Sequence, residues 1–205
     1  SKRPNLAIIG GSKISTKIKV LENLVEIFDS IVIGGAMANT FLLSNNYNVG
    51  SSLVENDFVD LSKEIQKKAE SNNCKILLPI DVVCSKNLET RENVITYSIN
   101  NIPYDQMIFD VGEQSTKLIS NEILKSKSLL WNGPLGAFEY SPFDKSTISI
   151  ANIIKNFSNK TQIDSLAGGG DTLAAIKKAN ANDAFNYLST AGGAFLEWLE
   201  GNKSP

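Results

Sequence analysis

The sequence contains no histidine and only two cysteines, Cys74 and Cys84. Without histidine, a Ser-His-Asp or Cys-His catalytic centre is excluded, and two cysteines alone do not make an ordinary zinc site. Two cysteines are also too few for the disulfide framework of a small secreted domain. Any chemistry must therefore use lysine, carboxylates, hydroxyls and backbone amides.

The chain also lacks an excess of basic charge, with 20 Lys and Arg against 22 Asp and Glu and a net charge of -2. A general nucleic-acid or membrane-surface binder would need a basic excess. No apolar run reaches the roughly 18 residues of a membrane span, and no apolar stretch of signal-peptide type follows Ser1 to Pro4. We therefore expect a cytoplasmic protein with no nucleic-acid and no membrane partner.

Short apolar runs that lead into glycine recur along the 205 residues, of which 42% are apolar. Runs of four or five apolar residues are typical of strands buried on both faces, as in a parallel sheet. A further strand is predicted at Lys75–Leu78. The other predicted strands are Leu6–Ile9, Ile31–Ile33, Leu129–Trp131, Leu166–Ala167 and Phe185–Leu188.

After most of these glycines an apolar pattern of helical spacing begins, in segments 14–28, 61–69, 150–157, 173–176 and 195–199. Strand, glycine turn and helix in repetition predict an α/β protein with a doubly wound, Rossmann-like, mostly parallel sheet and helices on both faces. Residues 80–112 lack this pattern and read as an irregular or antiparallel insertion. No linker divides the chain, so we expect one domain over residues 1–205.

The glycine clusters would meet at one edge of such a sheet, where ligands bind. Bare backbone and free N–H groups at helix starts favour an anion there, although glycines that merely make tight turns are the simpler alternative. The phosphate-binding sequence G-x-x-x-x-G-K-[ST] is absent. Leu173 stands where G-x-G-x-x-G needs its third glycine, which disfavours a dinucleotide dehydrogenase domain.

Five motifs, in the same order, resemble those of the phosphoglycerate kinase family and extend over almost the whole chain. The most specific is Leu130-Trp-Asn-Gly-Pro-Leu-Gly-Ala-Phe-Glu139. The motifs that begin at Gly10 and at Gly168 have forms that look bacterial. The other four are Gly10-Gly-Ser-Lys-Ile-Ser-Thr-Lys17, Gly34-Gly-Ala-Met-Ala-Asn-Thr-Phe41, Gly168-Gly-Gly-Asp-Thr172 and Ser189-Thr-Ala-Gly-Gly-Ala194.

The resemblance implies Mg²⁺-dependent transfer of a phosphoryl group between ATP and 3-phosphoglycerate, or between 1,3-bisphosphoglycerate and ADP in reverse, as in glycolysis. It also implies that this chain is the C-terminal, nucleotide-binding half. The N-terminal half, which binds 3-phosphoglycerate, is absent. We expect the chain to be a monomer that binds ATP or ADP with Mg²⁺ and does not turn over alone. The alternative is a non-catalytic nucleotide- or phosphate-binding module.

Two lysines carry the phosphate chemistry that the resemblance implies. Lys17 would hold nucleotide phosphates and Lys13 would meet the transferring group. The two are four residues apart, on one face if a helix begins near Ser12. A solvated helix face is the alternative explanation for such a pair.

Asp171 follows three glycines and, by the resemblance, holds Mg²⁺ on the nucleotide, since this cation prefers oxygen ligands. An N-terminal helix cap is the alternative role of Asp171. Thr172 would cap the same helix or donate to a phosphate. Gly169 and Gly170 would offer their amides to the nucleotide.

Glu139 would accept hydrogen bonds from the ribose hydroxyls, unless it is merely an exposed loop residue. Gly192 and Gly193 would begin the last helix and direct their amides at the moving phosphoryl group. The residues expected to line the adenine are Leu135, Phe138, Gly133, Gly35 and Ala36. Ordinary packing is the alternative role of the two apolar side chains, Leu135 and Phe138.

Two alanines depart from the family pattern. Ala36 stands where a third glycine is usual, and Ala191 replaces the first glycine of Ser-Thr-Gly-Gly-Gly. A methyl group at either position would crowd the ligand or restrict φ. Asp164, beside a predicted strand where an apolar residue is usual, has no functional explanation and fits an exposed strand start.

Overall fold

In the computed structural model, residues 2–160 and 163–202 are described, and they form two sheets. The larger is the parallel sheet that the sequence predicts, and its six strands have the order β3-β2-β1-β7-β8-β9. Its strands are β1 (Asn5–Ile9), β2 (Ser30–Ile33), β3 (Lys75–Leu77), β7 (Ser128–Asn132), β8 (Asp164–Gly168) and β9 (Tyr187–Ser189).

Helices cover both faces of this sheet, because each strand buries alternate residues on opposite sides. In β1, Leu6 and Ile8 pack into one apolar cluster, and Ala7 and Ile9 pack into the other. The first cluster holds α4 (Glu113–Lys125), α5 (Lys145–Ser158) and α6 (Gly170–Lys178). The second holds α1 (Ile18–Leu24), α2 (Met37–Ser44), α3 (Val59–Ser71) and α7 (Gly192–Leu199). The three-layer α/β/α architecture is confirmed.

The insertion expected at residues 80–112 is a three-stranded antiparallel sheet. Its strands are β4 (Asp81–Ser85), β5 (Ile95–Ser98) and β6 (Met107–Val111), in the order β5-β4-β6. A small apolar cluster that includes Val82 and Ile102 joins this sheet to Leu42 at the end of α2. The insertion therefore stands beside α2, close to the carboxyl end of β2.

The strand order reverses between β1 and β7, and the two glycines that follow these strands cross in close contact. The amide of Gly10 donates to the carbonyl oxygen of Asn132 over 2.9 Å. A Cβ built on Gly10 would lie 1.9 Å from the carbonyl oxygen of Pro134, and one built on Gly133 would lie 2.1 Å from that of Gly10. Gly133 also has φ of +100°, which other residues rarely adopt. This crossing leaves a cleft at the switch point of the sheet.

Some element bounds differ from the sequence prediction. No helix begins near Ser12: Lys13 is extended, Ile14–Thr16 form a 3-10 turn, and α1 starts at Ile18. The extended backbone at Lys13 places Ile14 in the core with no exposed surface. The condition under which Lys13 and Lys17 would share a helical face, a helix that begins near Ser12, is therefore not met.

At the other end of the sheet, β9 starts two residues later than predicted. Phe185 packs against Trp131, with ring centroids 6.3 Å apart, before the strand begins. Asp164 is the first residue of β8, exposed, and pairs with Lys2 at 3.4 Å, which fits the exposed strand start expected for it. Among the helices of residues 2–160 and 163–202, none is both long and apolar enough to cross a membrane.

We predict that Gly10→Ala lowers the free energy of unfolding by about 3 kcal/mol or more, because its methyl group has to displace backbone atoms. Urea denaturation measures this loss. Gly170→Ala is the matched control, since no atom lies within 4 Å of its Cβ position, and it should change stability by less than about 1 kcal/mol. Equal stability of the two variants would contradict the close crossing.

Candidate functional site

A cavity of about 280 Å³ opens beside the glycine crossing, at the carboxyl ends of the strands. It is bounded by the turn after β1, the start of α2, the segment after β7 and the start of α6, with β6 of the small sheet at its far side. Six predicted site residues line it: Gly35, Ala36, Leu135, Phe138, Glu139 and Asp171.

The alanine at position 36 does not strain the cavity wall. Ala36 has φ of -62° and ψ of -22°, an ordinary helical conformation at the start of α2. Ala191, the other departure, precedes α7 with φ of -89°. Both backbones suit an L residue, so the concern about restricted φ does not apply.

Lys17 lies next to the cavity with an ammonium group that has no carboxylate partner among the described residues. Its Nζ donates to Oδ1 of Asn132, and its Cε would lie 3.5 Å from a Cβ on Gly11, a cavity residue. Burial lowers the pKa of the Lys17 ammonium. A half-buried cation without a counter-ion is a site for an anion.

Asn132 makes two side-chain contacts, of which one holds Lys17 and the other holds the end of β8. Its Oδ1 accepts from Lys17, and its Nδ2 donates to the carbonyl oxygen of Gly168 over 2.9 Å. Asn132 is the last residue of β7 and is buried. The amide thus ties the turn after β1 to the end of β8, and sequence reasoning gave it no role although it lies inside the most specific motif.

The start of α6 carries an exposed carboxylate, on Asp171, beside a buried hydroxyl, on Thr172. Gly169, with φ of +98°, occupies the N-cap position of the helix, and Asp171 is the second helical residue, in the first turn. The exposed Asp171 thus does not cap the helix, and it reaches the cavity. Thr172 is buried and its hydroxyl accepts from the amide of Gly133 over 2.7 Å, so it holds the β7 turn. This bond leaves the hydroxyl proton to donate, and the expected bond to a phosphate stays a prediction.

Eight of the fourteen predicted residues do not line the cavity, and three of these eight lie at exposed positions away from it. Lys13 is exposed in the extended turn before the 3-10 helix. Gly192 and Gly193 do begin α7, as expected, and nothing lies within 4 Å of their Cβ positions. All three face open space, so the structure does not bring them against the cavity.

The far side of the cavity contains residues that the sequence did not indicate. Asn39 of α2 and Ile108–Val111 of β6 line it, as does Tyr140, whose ring lies 5.6 Å from the guanidinium carbon of Arg91. A polar residue at the end of an apolar strand was the available signal for Asp110. For Asn39 the available signal was its place inside the motif Gly34 to Phe41, because α2 is buried nearly all round and shows no amphipathic pattern.

Asp110 is a buried carboxyl group that fastens the small sheet to α5. It accepts from the hydroxyl and amide of Ser146 and from the amide of Val111. Burial raises the pKa of Asp110 to about 7, with a smaller contribution from Asp144, although these hydrogen bonds oppose the rise. The carboxyl also abuts Gly136, where a Cβ would lie 2.4 Å from its oxygen.

Comparisons with known proteins agree with this geometry. The family profile described as phosphoglycerate kinase matches residues 1–202. Phosphoglycerate kinases of Brucella abortus and of a Ruegeria species are 47% and 48% identical over 99% and 100% of this chain. The structure of phosphoglycerate kinase from Coxiella burnetii superposes with a TM-score of 0.93 at 39% identity over the whole chain. The chain spans 51% to 52% of these relatives, about half their length.

We predict that the stability of this protein falls between pH 4 and pH 7 because of Asp110. The folded form keeps the proton up to a pKa of about 7, against 3.8 for an ordinary aspartate. The folded state thus binds more protons in this interval, and the free energy of unfolding decreases as the pH rises. The full shift corresponds to at most about 4 kcal/mol, at 1.36 kcal/mol per pKa unit.

Asp110→Asn should flatten this slope, which urea denaturation at a series of pH values measures. Asp183→Asn, at an exposed position of a 3-10 turn, is the control and should keep it. An unchanged slope in Asp110→Asn would show that another group causes the pH dependence.

Proposed function

The chain belongs to the phosphoglycerate kinase family and corresponds to its C-terminal half, and on that premise we propose that it binds MgADP and MgATP for this reaction. The parent activity is reversible phosphoryl transfer between 1,3-bisphosphoglycerate and ADP, which gives 3-phosphoglycerate and ATP in glycolysis. In this proposal residues 1–205 are one nucleotide-binding domain, monomeric and cytoplasmic, and the N-terminal half supplies the 3-phosphoglycerate site.

The observation that carries the proposal is the cation without a counter-ion beside the strand-end cavity. Lys17 is held by Asn132, and Glu139 and Asp171 line the cavity from two other connections. Nucleotide phosphates would neutralise the ammonium and accept from the free amides at the start of α6. Glu139, exposed at the cavity wall, suits the ribose hydroxyls as a double acceptor.

The base would lie between apolar walls formed after β7 and at the start of α2. Leu135 and Phe138 provide one wall, and Gly35 and Ala36 provide the other. The amide of Gly35 donates to the carbonyl oxygen of Leu135 over 3.0 Å, which joins the two walls at this point. Gly133 closes the gap at the crossing with Gly10.

Magnesium fits this site only together with the nucleotide. Within residues 2–160 and 163–202, no group of three or more metal-ligating side chains lies together. Asp171 offers one exposed carboxylate, and Mg²⁺ commonly binds one or two carboxylates plus phosphate oxygens and water. When bound, the cation offsets charge on the phosphates. Asp171 is the residue that would hold it.

Phosphoryl transfer needs positioning and positive charge around the moving group. Lys13 and the amides of Gly192 and Gly193 would supply these in this proposal, after the two halves of the parent protein close. Lys13, Gly192 and Gly193 do not line the cavity, which also suits the alternative, a module that binds nucleotide without catalysis. Lys13→Ala in a protein with both halves separates the two, because only a catalytic site loses turnover while keeping its affinity for nucleotide.

We predict that the chain binds MgADP and that Lys17→Ala and Asp171→Ala each weaken binding about 10-fold to 100-fold. One charged hydrogen bond or metal contact contributes that much. Calorimetric titration measures the dissociation constants. Lys19→Ala and Asp183→Ala are controls, since both residues are exposed and outside the cavity. Unchanged affinity in both site variants would remove the assignment.

We also predict that the chain alone forms no ATP from ADP and 1,3-bisphosphoglycerate while it still binds MgADP. The acceptor site and the closing motion require the other half. A coupled ATP assay, run beside the titration, measures this. Turnover by the isolated chain would show that these residues contain a complete active site.

A further inference from the structure

One buried carboxyl residue, Asp110, lines two cavities. The first is the strand-end cavity, and the second, of about 690 Å³, lies between the small sheet and the starts of α4 and α5. Asp110 is 2% exposed and forms no ion pair with any cation in residues 2–160 and 163–202. Because a buried carboxylate without a counter-ion is unfavourable, a further charge nearby alters its ionisation.

The Asp110 carboxyl packs against the segment that bounds the strand-end cavity after β7. A Cβ built on Gly136 would lie 2.4 Å from Oδ1 of Asp110, so the carboxyl abuts the backbone at this position. Gly136 itself lines the cavity, together with its neighbours Leu135 and Ala137. A molecule in the cavity therefore acts on the covered carboxyl through its charge and needs no contact with it.

The two lysines packed around Asp110 are already paired with other carboxylates. Lys178 pairs with Asp144 at 2.6 Å, and Lys145 pairs with Glu113 at 2.9 Å. Burial is the main cause that raises the pKa of Asp110 to about 7, and Asp144 adds to the rise. The charged groups on the surrounding elements comprise Asp81 of β4, Glu113 of α4, Asp144 and Lys145 of α5 and Lys178 of α6, with Glu139 and Asp171 at the cavity and Lys17 beside it.

We propose that Asp110 takes up a proton from solvent when nucleotide binds, and that the affinity for MgADP is thereby coupled to pH near neutrality. This regulation rests on the proposed function, since it needs an anion in the strand-end cavity. MgADP has a net negative charge, which repels a carboxylate and leaves a neutral carboxyl group unaffected. The bound chain therefore favours the protonated form of Asp110.

The sign of the coupling follows from this preference. Bound nucleotide raises the pKa of Asp110 above its value of about 7 in the free chain. At a pH below both pKa values Asp110 is protonated with and without nucleotide, and at a pH above both it is ionised in either state. Between them, binding takes up a proton, so the affinity decreases as the pH rises.

Calorimetric titration of the unmodified chain with MgADP tests this, in two buffers of different ionisation enthalpy. We expect uptake of about 0.3 proton per nucleotide near pH 7 and about 3-fold weaker binding at pH 8.5 than at pH 6, as a rise of about half a pKa unit gives. Binding with no proton uptake and with equal affinities overturns this inference alone. Absence of binding at both pH values overturns the proposed function, and the inference with it.

Asp110→Asn removes the titrating group and keeps a polar side chain of the same shape. It should bind MgADP with less proton uptake and with similar affinity at pH 6 and pH 8.5. Protons taken up by Lys17 or by the nucleotide itself occur in both chains and cancel in the comparison. Proton uptake equal to that of the unmodified chain overturns the inference.

Asp81→Asn is the matched control. Asp81 is also a buried carboxyl residue, it accepts from the amides of Gln114 and Ser115 at the start of α4, and it does not line the strand-end cavity. This variant should keep the proton uptake of the unmodified chain. An equal loss in Asp81→Asn and Asp110→Asn overturns the inference, because general loosening of the small sheet then explains the pH dependence.

Ser146→Ala separates the charge of Asp110 from its structural role and decides the question if Asp110→Asn does not fold. The hydroxyl of Ser146 donates to Asp110 and lowers the pKa of the carboxyl against the effect of burial. Without this hydroxyl, the pH at which the affinity for MgADP falls should move upward by about 0.5 to 1 unit. A midpoint that stays in place overturns the inference, whatever the change in stability.

Discussion

The backbones of Gly10 and Gly133 are in direct contact, and the arrangement of the site depends on this contact between the turns after β1 and β7. A side chain on either glycine would overlap backbone oxygens of the other connection. Because the strand order reverses between β1 and β7, the same contact brings two turns to one point at the sheet edge. The hydroxyl of Thr172 accepts from the Gly133 amide, and this hydrogen bond joins the start of α6 to the same contact.

The electrostatics of the site follow from that contact. Asn132, the last residue of β7, is where the two connections meet, and its amide holds Lys17 on one side and Gly168 on the other. The lysine is thereby kept half-buried, without a carboxylate partner in the described part of the chain, and burial lowers its pKa. An ammonium in that environment gains more from an incoming phosphate than one in water.

Much of this arrangement could be predicted from the sequence, and the exceptions have physical causes. The parallel sheet was predictable because runs such as Leu6–Ile9 are apolar on both faces. The spacing of Lys13 and Lys17 did not decide whether they share a helical face, because that required a helix from Ser12 and the backbone at Lys13 is extended. Asn39 received no role although it lies inside the motif Gly34 to Phe41, since only the three-dimensional packing shows that it lines the cavity. The roles of Lys13, Gly192 and Gly193 stay predictions, because this chain, which spans about half the length of its relatives, does not place these residues at the cavity.

In the proposed function, the cavity holds the phosphates at one end and the base at the other, and these two ends have different structural support. The phosphate end is built on the six-stranded sheet, whose core is apolar on both faces. The base end depends on the small sheet, which reaches the segment after β7 through the Phe109 carbonyl, bound by the Ala137 amide over 2.8 Å. Asp110 fastens the same sheet to α5 at the cost of a buried carboxyl. Changes in the small sheet can therefore alter base recognition while the phosphate end keeps its geometry.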